Sequence, residues 1–186
     1  MTTFKIQTYE HLKTLKQLFR DLKPSNILLS LLQPNCEARG VISDLGLSKQ
    51  LEDATKQTFS TTAGKPAGLR GWQAAELLEI YDGATADVRQ HLSVKLDIFP
   101  TGCLMFFSMT DGKHPFGERL IRREMNILDN MPDLSSLKGD YTVYESLIRS
   151  MISSDPHARP TAKDALERFK SLSKKPGIIN CTLCSF

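Results

Sequence analysis

A mainly helical domain carrying one small β-hairpin is what this sequence predicts, and three patterns carry that expectation. Apolar residues recur at helical spacing through the second half, around Ile98, Cys103, Phe106 and Phe107, and again from Tyr141 through Tyr144, Leu147, Ile148 and Met151 to Ile152. Thr161 and Asp164 have the spacing of a helix-capping box and head a last amphipathic run with Ala165, Leu166, Phe169 and Leu172. Two short apolar runs, Ile27-Leu28-Leu29 and Gly40-Val41-Ile42, flank a polar stretch containing Pro34 and Asn35, the pattern of two paired strands.

The elements follow in chain order. Tyr9, Leu12, Leu15 and Leu18 recur every third residue, so a short amphipathic helix is expected over 8–18. Pro24 ends it, because a proline ring cannot sit inside a continuing helix. After the hairpin, residues 43–74 are polar and rich in Gly, Thr, Ser and Lys, a loop too long to be idle in a compact domain. Residues 94–109 are expected to form a central buried helix, with Pro100 near its first turn, where the missing N–H is tolerated. Pro176-Gly177 closes the last helix, giving one domain over 1–174 and a mobile tail over 175–186.

Composition narrows the function classes. With 40% hydrophobic and 24% charged residues, the 186-residue chain can bury a real core. Its 24 basic and 21 acidic residues give a net charge of +3 and are dispersed, so no polybasic arm points to nucleic acid. The longest apolar stretch, around Cys103 to Phe107, is far short of the about 20 residues a membrane helix needs, and the N-terminus lacks the apolar core of a signal peptide. A cytoplasmic location is the expectation for the chain as written. Cys36 and Cys103 read as ordinary thiols; Cys181 and Cys184 form a CxxC without the second ligand pair a zinc site requires. His11, His91, His114 and His157 have no nucleophile or ligand at a telling spacing and read as surface or packing residues.

The chemistry concentrates in two segments. Arg20-Asp21-Leu22-Lys23-Pro24-Ser25-Asn26 precedes the first strand, and Asp44-Leu45-Gly46 follows the second. Together they resemble the protein-kinase catalytic loop HRDLKxxN and metal-binding turn DFG. Ala74-Ala75-Glu76 stands where that family has APE. The run from Asp97 to Gly102 matches the family's DxFxxG, and Asp155-Pro156-His157-Ala158-Arg159-Pro160 its DPxxRP. Five motifs in order, over about residues 9–172, imply a protein-kinase-like large lobe with the serine/threonine form of the loop. Gly71-Trp72, His114-Pro115-Phe116-Gly117 and Asn126-Ile127-Leu128 further resemble the inositol-requiring ER-stress sensor kinase/endoribonucleases, which implies a link to the unfolded-protein response. Members of that family are anchored in the endoplasmic reticulum membrane.

By this resemblance Asp21 orients or accepts the proton of the attacking hydroxyl, and Lys23 offsets charge on the transferred phosphoryl. Asn26 and Asp44 hold magnesium and thereby ATP. Glu76 and Arg159 form a structural ion pair, Asp97 receives backbone N–H groups of the catalytic loop, and Arg20 pairs with a loop phosphate. Thr55, Thr58, Ser60, Thr61 and Thr62 are the candidate phosphosites on the activation segment.

Departures count as well. Phe19, Leu45 and Ala75 replace the His of HRD, the Phe of DFG and the Pro of APE. No Gly-rich phosphate loop, lysine-bearing strand or partner glutamate helix precedes Phe19, so the small lobe is expected to be missing and binding of ATP and magnesium weak or absent. The expected partners are a protein substrate, a partner kinase or a small lobe, with a family-type homodimer. Against the kinase reading stands a catalytically dead, pseudokinase-like interaction module, or a fragment from an incomplete gene model.

Overall fold

The computed structural model describes residues 4–6, 17–31, 38–50, 58–59, 68–81 and 92–173. Five α-helices occur among them: α1 (Ala75–Tyr81), α2 (Ile98–Met109), α3 (Leu120–Leu128), α4 (Glu145–Met151) and α5 (Ala162–Ser173). Short 3-10 turns at Val94–Asp97 and Gly139–Tyr144 lead into α2 and α4. The domain is mostly helical, as expected. Residues 94–109 and 141–152 each resolve into a 3-10 turn followed by an α-helix rather than one continuous helix. No helix among the described residues is long and apolar enough to cross a membrane.

α2 sits at the centre because nearly every side of it is apolar; Phe99, Cys103 and Phe106 are at most 1% exposed. It crosses α4 at Gly102, where a Cβ would fall 2.7 Å from Ile152 Cγ2 and 2.8 Å from Met151 Cβ. Only a glycine lets the two backbones approach that far. Leu147, Ile148, Met151 and Ile152 then close the core from the α4 side. Phe116 stacks on Phe99 with ring centroids 5.6 Å apart, and Tyr144 stacks on Phe169 of α5 at 5.2 Å. Burial among these side chains pushes the Cys103 thiol far above its ordinary range, so it stays protonated.

The hairpin pairs β3 (Ile27–Leu31) with β4 (Ala38–Ile42), antiparallel, with Ile27 opposite Ile42 and Leu29 opposite Gly40. Its far edge carries β1 (Phe4–Ile6), parallel to β4, which local patterning does not foresee. β2 (Gln17–Leu18) pairs antiparallel with β5 (Lys49–Gln50), and β6 (Thr58–Phe59) with β7 (Leu92–Ser93). Two expectations change here. The end of the helix expected over 8–18 is strand, because the chain must be extended to bury both Leu18 and Phe19, at 2% and 7% exposed; residues 8–16 lie outside the described residues. The loop expected over 43–74 is interrupted by β5 and β6. His11, His91, Cys36, Cys181, Cys184 and the tail over 175–186 also lie outside the described residues.

Candidate active site

Asp97, at the start of α2, is the anchor on which the site is built. Its carboxylate is 7% exposed and accepts the N–H groups of two successive residues, Phe19 at 2.7 Å and Arg20 at 3.0 Å. Burial raises its carboxyl to about 6, opposed by those two N–H groups and by the charge of Arg20. Arg20 is thereby held at φ 68, a left-handed conformation that costs a non-glycine residue of order 1–3 kcal/mol. That kink aims the next residue inward.

Asp21 is 9% exposed, and both of its oxygens are engaged. Oδ2 accepts Lys23 Nζ at 2.6 Å and Asn26 Nδ2 at 3.0 Å; Oδ1 accepts the N–H of Leu69 at 2.9 Å. Asn26 Nδ2 also donates to the main-chain oxygen of Asp21 at 2.9 Å, which closes the loop on itself. Pro24 opens the 3-10 turn Pro24–Asn26, where its fixed φ suits the first position, and the Asn26 N–H returns to Lys23 O at 3.0 Å. This short turn is what brings residues 21, 23 and 26 onto one carboxylate.

The hairpin carries the second segment to the first. Ser43 donates its N–H and its hydroxyl to Asn26 O, at 2.8 and 3.1 Å, so Asp44 is tied one residue away from the loop. Asp44 is exposed, at φ 58, and its Oδ1 accepts the Gly46 N–H at 3.3 Å. Asn26 spends its amide nitrogen on Asp21 and leaves Oδ1 with one long contact from Ser25 Oγ at 3.5 Å. An amide oxygen and a carboxylate are hard donors of the kind magnesium takes, so the residues present fit that ion.

Glu76 and Arg159 meet although 83 positions separate them, in a two-pronged pair with Nη1 to Oε1 at 2.6 Å and Nη2 to Oε2 at 2.7 Å. Arg159 is 1% exposed, donates also to Ser153 O, Ser154 O and Lys95 O, and lies 5.3 Å from the centroid of the Phe99 ring. The pair fastens α1 to the approach of α5, away from Asp21. Arg20 offers its main chain to Asp97, and its guanidinium forms no ion pair among the described residues. Of the candidate phosphosites, Thr58 lies in β6 opposite Ser93. Thr55, Ser60, Thr61 and Thr62 lie outside the described residues.

Two features escape a reading of residue types. The Leu69 donor is a backbone N–H and leaves no trace in side-chain chemistry. Gly68 before it is the available signal: at φ +106, its missing Cβ would fall 2.5 Å from Arg20 O. His114 is the other. It is 4% exposed, its Nδ1 accepts the Phe116 N–H at 3.2 Å, and its ring meets Trp72 edge-on at 4.6 Å. Burial, and then the charge of Arg123, lower it to about 3, so it packs as a neutral ring.

Comparison with known proteins agrees with the motif order. The protein kinase domain family model matches residues 5–169. The serine/threonine-protein kinase/endoribonuclease IRE1 of Hypocrea jecorina is 37% identical over 185 residues, covering 84% of this chain and 14% of the relative. The corresponding IRE2 of Homo sapiens is 38% identical over 161 residues, covering 84% and 16%, and ire-1 of Caenorhabditis elegans is 34% identical over 158 residues, covering 84% and 15%. The chain thus spans about a seventh of the length of these relatives. With a family match across most of its length and an aspartate, a lysine and an asparagine gathered at the loop that carries the family's chemistry, this chain belongs to the protein kinase domain family.

Proposed function

We propose that residues 1–174 are the large lobe of a serine/threonine protein kinase of the ER-stress sensor type, with 175–186 as a tail. The reaction is ATP- and magnesium-dependent phosphoryl transfer to protein hydroxyls. The observation that carries this reading is the Asp21 carboxylate, buried and held by Lys23 and Asn26 in one short turn. Asp21 orients the acceptor hydroxyl and takes its proton. Lys23, a cation 2.6 Å from Asp21, swings between that carboxylate and the charge developing on the transferred phosphoryl. Asn26 and Asp44 would hold magnesium, which when bound offsets the phosphate charge. A protein substrate and a family-type homodimer belong to the same reading, as does an endoplasmic reticulum address through the relatives.

The isolated 186-residue chain is a poor nucleotide binder on this reading; the rival reading is a catalytically dead interaction module. Support for weak nucleotide binding comes from residues 1–20, among which no Gly-rich phosphate loop is found. The segment between Asp44 and Glu76 is its phosphorylation-responsive element, with acceptors among Thr55, Thr58, Ser60, Thr61 and Thr62 and with Arg20 as the phosphate's partner.

Calorimetry of magnesium-ATP with the chain alone should give a dissociation constant weaker than about 10 µM, or roughly −7 kcal/mol. Fusing a protein-kinase small lobe before residue 17 should restore transfer to a serine/threonine peptide, and Asp21→Asn in the fusion should lower it by about a hundredfold or more. A folded fusion that transfers nothing, or transfers equally well with Asp21→Asn, overturns the kinase reading.

A further inference from the structure

We infer that Arg70 and Glu124 are positioning residues for Asp21, acting through the backbone N–H of Leu69, a role that rests on the kinase reading. Leu69 gives that N–H to Asp21 Oδ1 at 2.9 Å, and the segment around it has little stiffness of its own. The Leu69 side chain is 50% exposed, so burial does not anchor it. Gly68 and Gly71 flank Leu69-Arg70 at φ 106 and 85, and a glycine backbone turns more freely than any other. A hinge of this kind keeps its shape when something outside it does the holding.

α3 supplies that hold. Arg70 closes a two-pronged pair on Glu124, Nε to Oε1 at 2.8 Å and Nη2 to Oε2 at 2.9 Å, across 54 positions. A fork of two parallel bonds fixes direction as well as distance. The Glu124 side chain is 13% exposed, so the acid end is set into a packed surface. One residue further, a Cβ at Gly71 would fall 2.7 Å from Leu120 Cδ1 and 3.1 Å from Arg123 Cδ, so the chain lies directly against α3. α3 is itself fixed by the fully buried Ile127, by Asn126 Nδ2 on Phe116 O at 3.0 Å and by Arg123 Nε on Gly117 O at 2.7 Å. The path from this firm base to the carboxylate is short, from Glu124 through Arg70 to the Leu69 N–H and Asp21 Oδ1. Releasing the fork lets the Leu69 N–H leave and Oδ1 turn, while Lys23 and Asn26 keep their bonds to Oδ2. The acceptor hydroxyl is then oriented less well, and Asn26 and Asp44 are untouched. The effect falls on turnover rather than on nucleotide binding.

Residue-resolved amide hydrogen exchange of the 186-residue chain reads the hinge directly. Arg70→Gln and Glu124→Gln should each speed exchange of the Leu69 N–H about fivefold and leave the α2 amides unchanged. Arg70→Glu combined with Glu124→Arg, which reverses the pair, should return it to within about twofold of wild type. In the small-lobe fusion, either single substitution should lower kcat about three- to tenfold at an unchanged KM for magnesium-ATP. The hydrogen-exchange measurement needs no phosphoryl transfer, so failure of the hinge and failure of the kinase reading are told apart. A Leu69 N–H that exchanges at the wild-type rate in both single variants, a reversed pair that exchanges as fast as they do, or a KM for ATP that moves in place of kcat would each overturn the proposal.

Discussion

Asp97 and Glu76 are two acids that hold distant segments together, and they are satisfied in opposite ways. Asp97 takes two backbone N–H groups at 2.7 and 3.0 Å. Glu76 takes the fork of a fully buried guanidinium at 2.6 and 2.7 Å. Backbone N–H dipoles fix geometry without cancelling charge, so burial still lifts the Asp97 carboxyl to about 6. A guanidinium brings a full opposite charge and five donors, and Arg159 spends them on Glu76 and three carbonyls. The first arrangement shapes a loop; the second joins α1 to the approach of α5. Their difference predicts how each fails.

The largest effect should come from cutting the ion pair. Arg159→Ala strands Glu76 and leaves Ser153 O, Ser154 O and Lys95 O without a donor they now have. Breaking one partner of such a pair costs about 3–5 kcal/mol. Arg159→Lys should recover only part of this, because an ammonium cannot reproduce the fork. Denaturant unfolding measures both. An Arg159→Ala midpoint equal to wild type would mean that the pair contributes nothing to stability.

How much of this was legible depends on the distance over which each signal acts. The capping box at Thr161 and the two strands of the hairpin are local, and residue spacing carries them; the hairpin's register emerges only in the structure. The Glu76–Arg159 pair spans 83 positions and was visible only through the order of the kinase motifs. β1 was invisible for a plainer reason: the pairing of Phe4–Ile6 with β4 is set by long-range backbone bonds that three residues cannot announce. The leucine spacing that suggested a helix up to residue 18 lost to tertiary demand, since Phe19 and Arg20 must point successive N–H groups at Asp97. His114 looked like any packing histidine; its burial against the Trp72 ring, and then the charge of Arg123, make it resist protonation.

Asp97 should fail more gently, and with a pH signature. Between its ordinary pKa, about 3.9, and its folded value of about 6, the folded protein keeps a proton that the unfolded chain has released. The stability it contributes is therefore full below about pH 4 and is lost as pH rises through about 6. His114 acts the other way. It is lowered from 6.5 to about 3, so its contribution is full above pH 6.5 and is lost as pH falls. The two slopes oppose each other between about pH 4 and 6. Asp97→Asn removes the buried charge but turns an NH₂ toward one N–H, which leaves a buried donor unpaired at a cost of about 1–3 kcal/mol. In that variant the His114 slope stands alone, and stability should drop steeply from about pH 6.5 toward 4. Urea midpoints across that range decide it; a variant as flat as wild type would show that Asp97 does not carry the opposing proton.

The smallest effect lies at the start of α5, where charge and helix end meet in solvent. Thr161 Oγ1 accepts the Asp164 N–H at 3.2 Å, and the Asp164 carboxylate answers with the Thr161 hydroxyl at 2.6 Å and its N–H at 3.3 Å. Two otherwise orphaned helix donors are satisfied reciprocally. Those bonds hold the Asp164 carboxyl below its ordinary value, so the cap is intact at neutral pH and weakens as acid protonates it. Thr161→Ala should cost about 1 kcal/mol, the usual loss of a threonine cap. Asp164→Asn should leave neutral stability slightly lower and erase the cap's own acid sensitivity. Nothing buried is stranded in either variant, because water replaces each lost partner. Faster amide exchange confined to the first turn of α5, with the α2 core unchanged, is the expected result. Loosening that spreads into α2 would show that this exposed cap, like the Arg159 fork, holds the domain together.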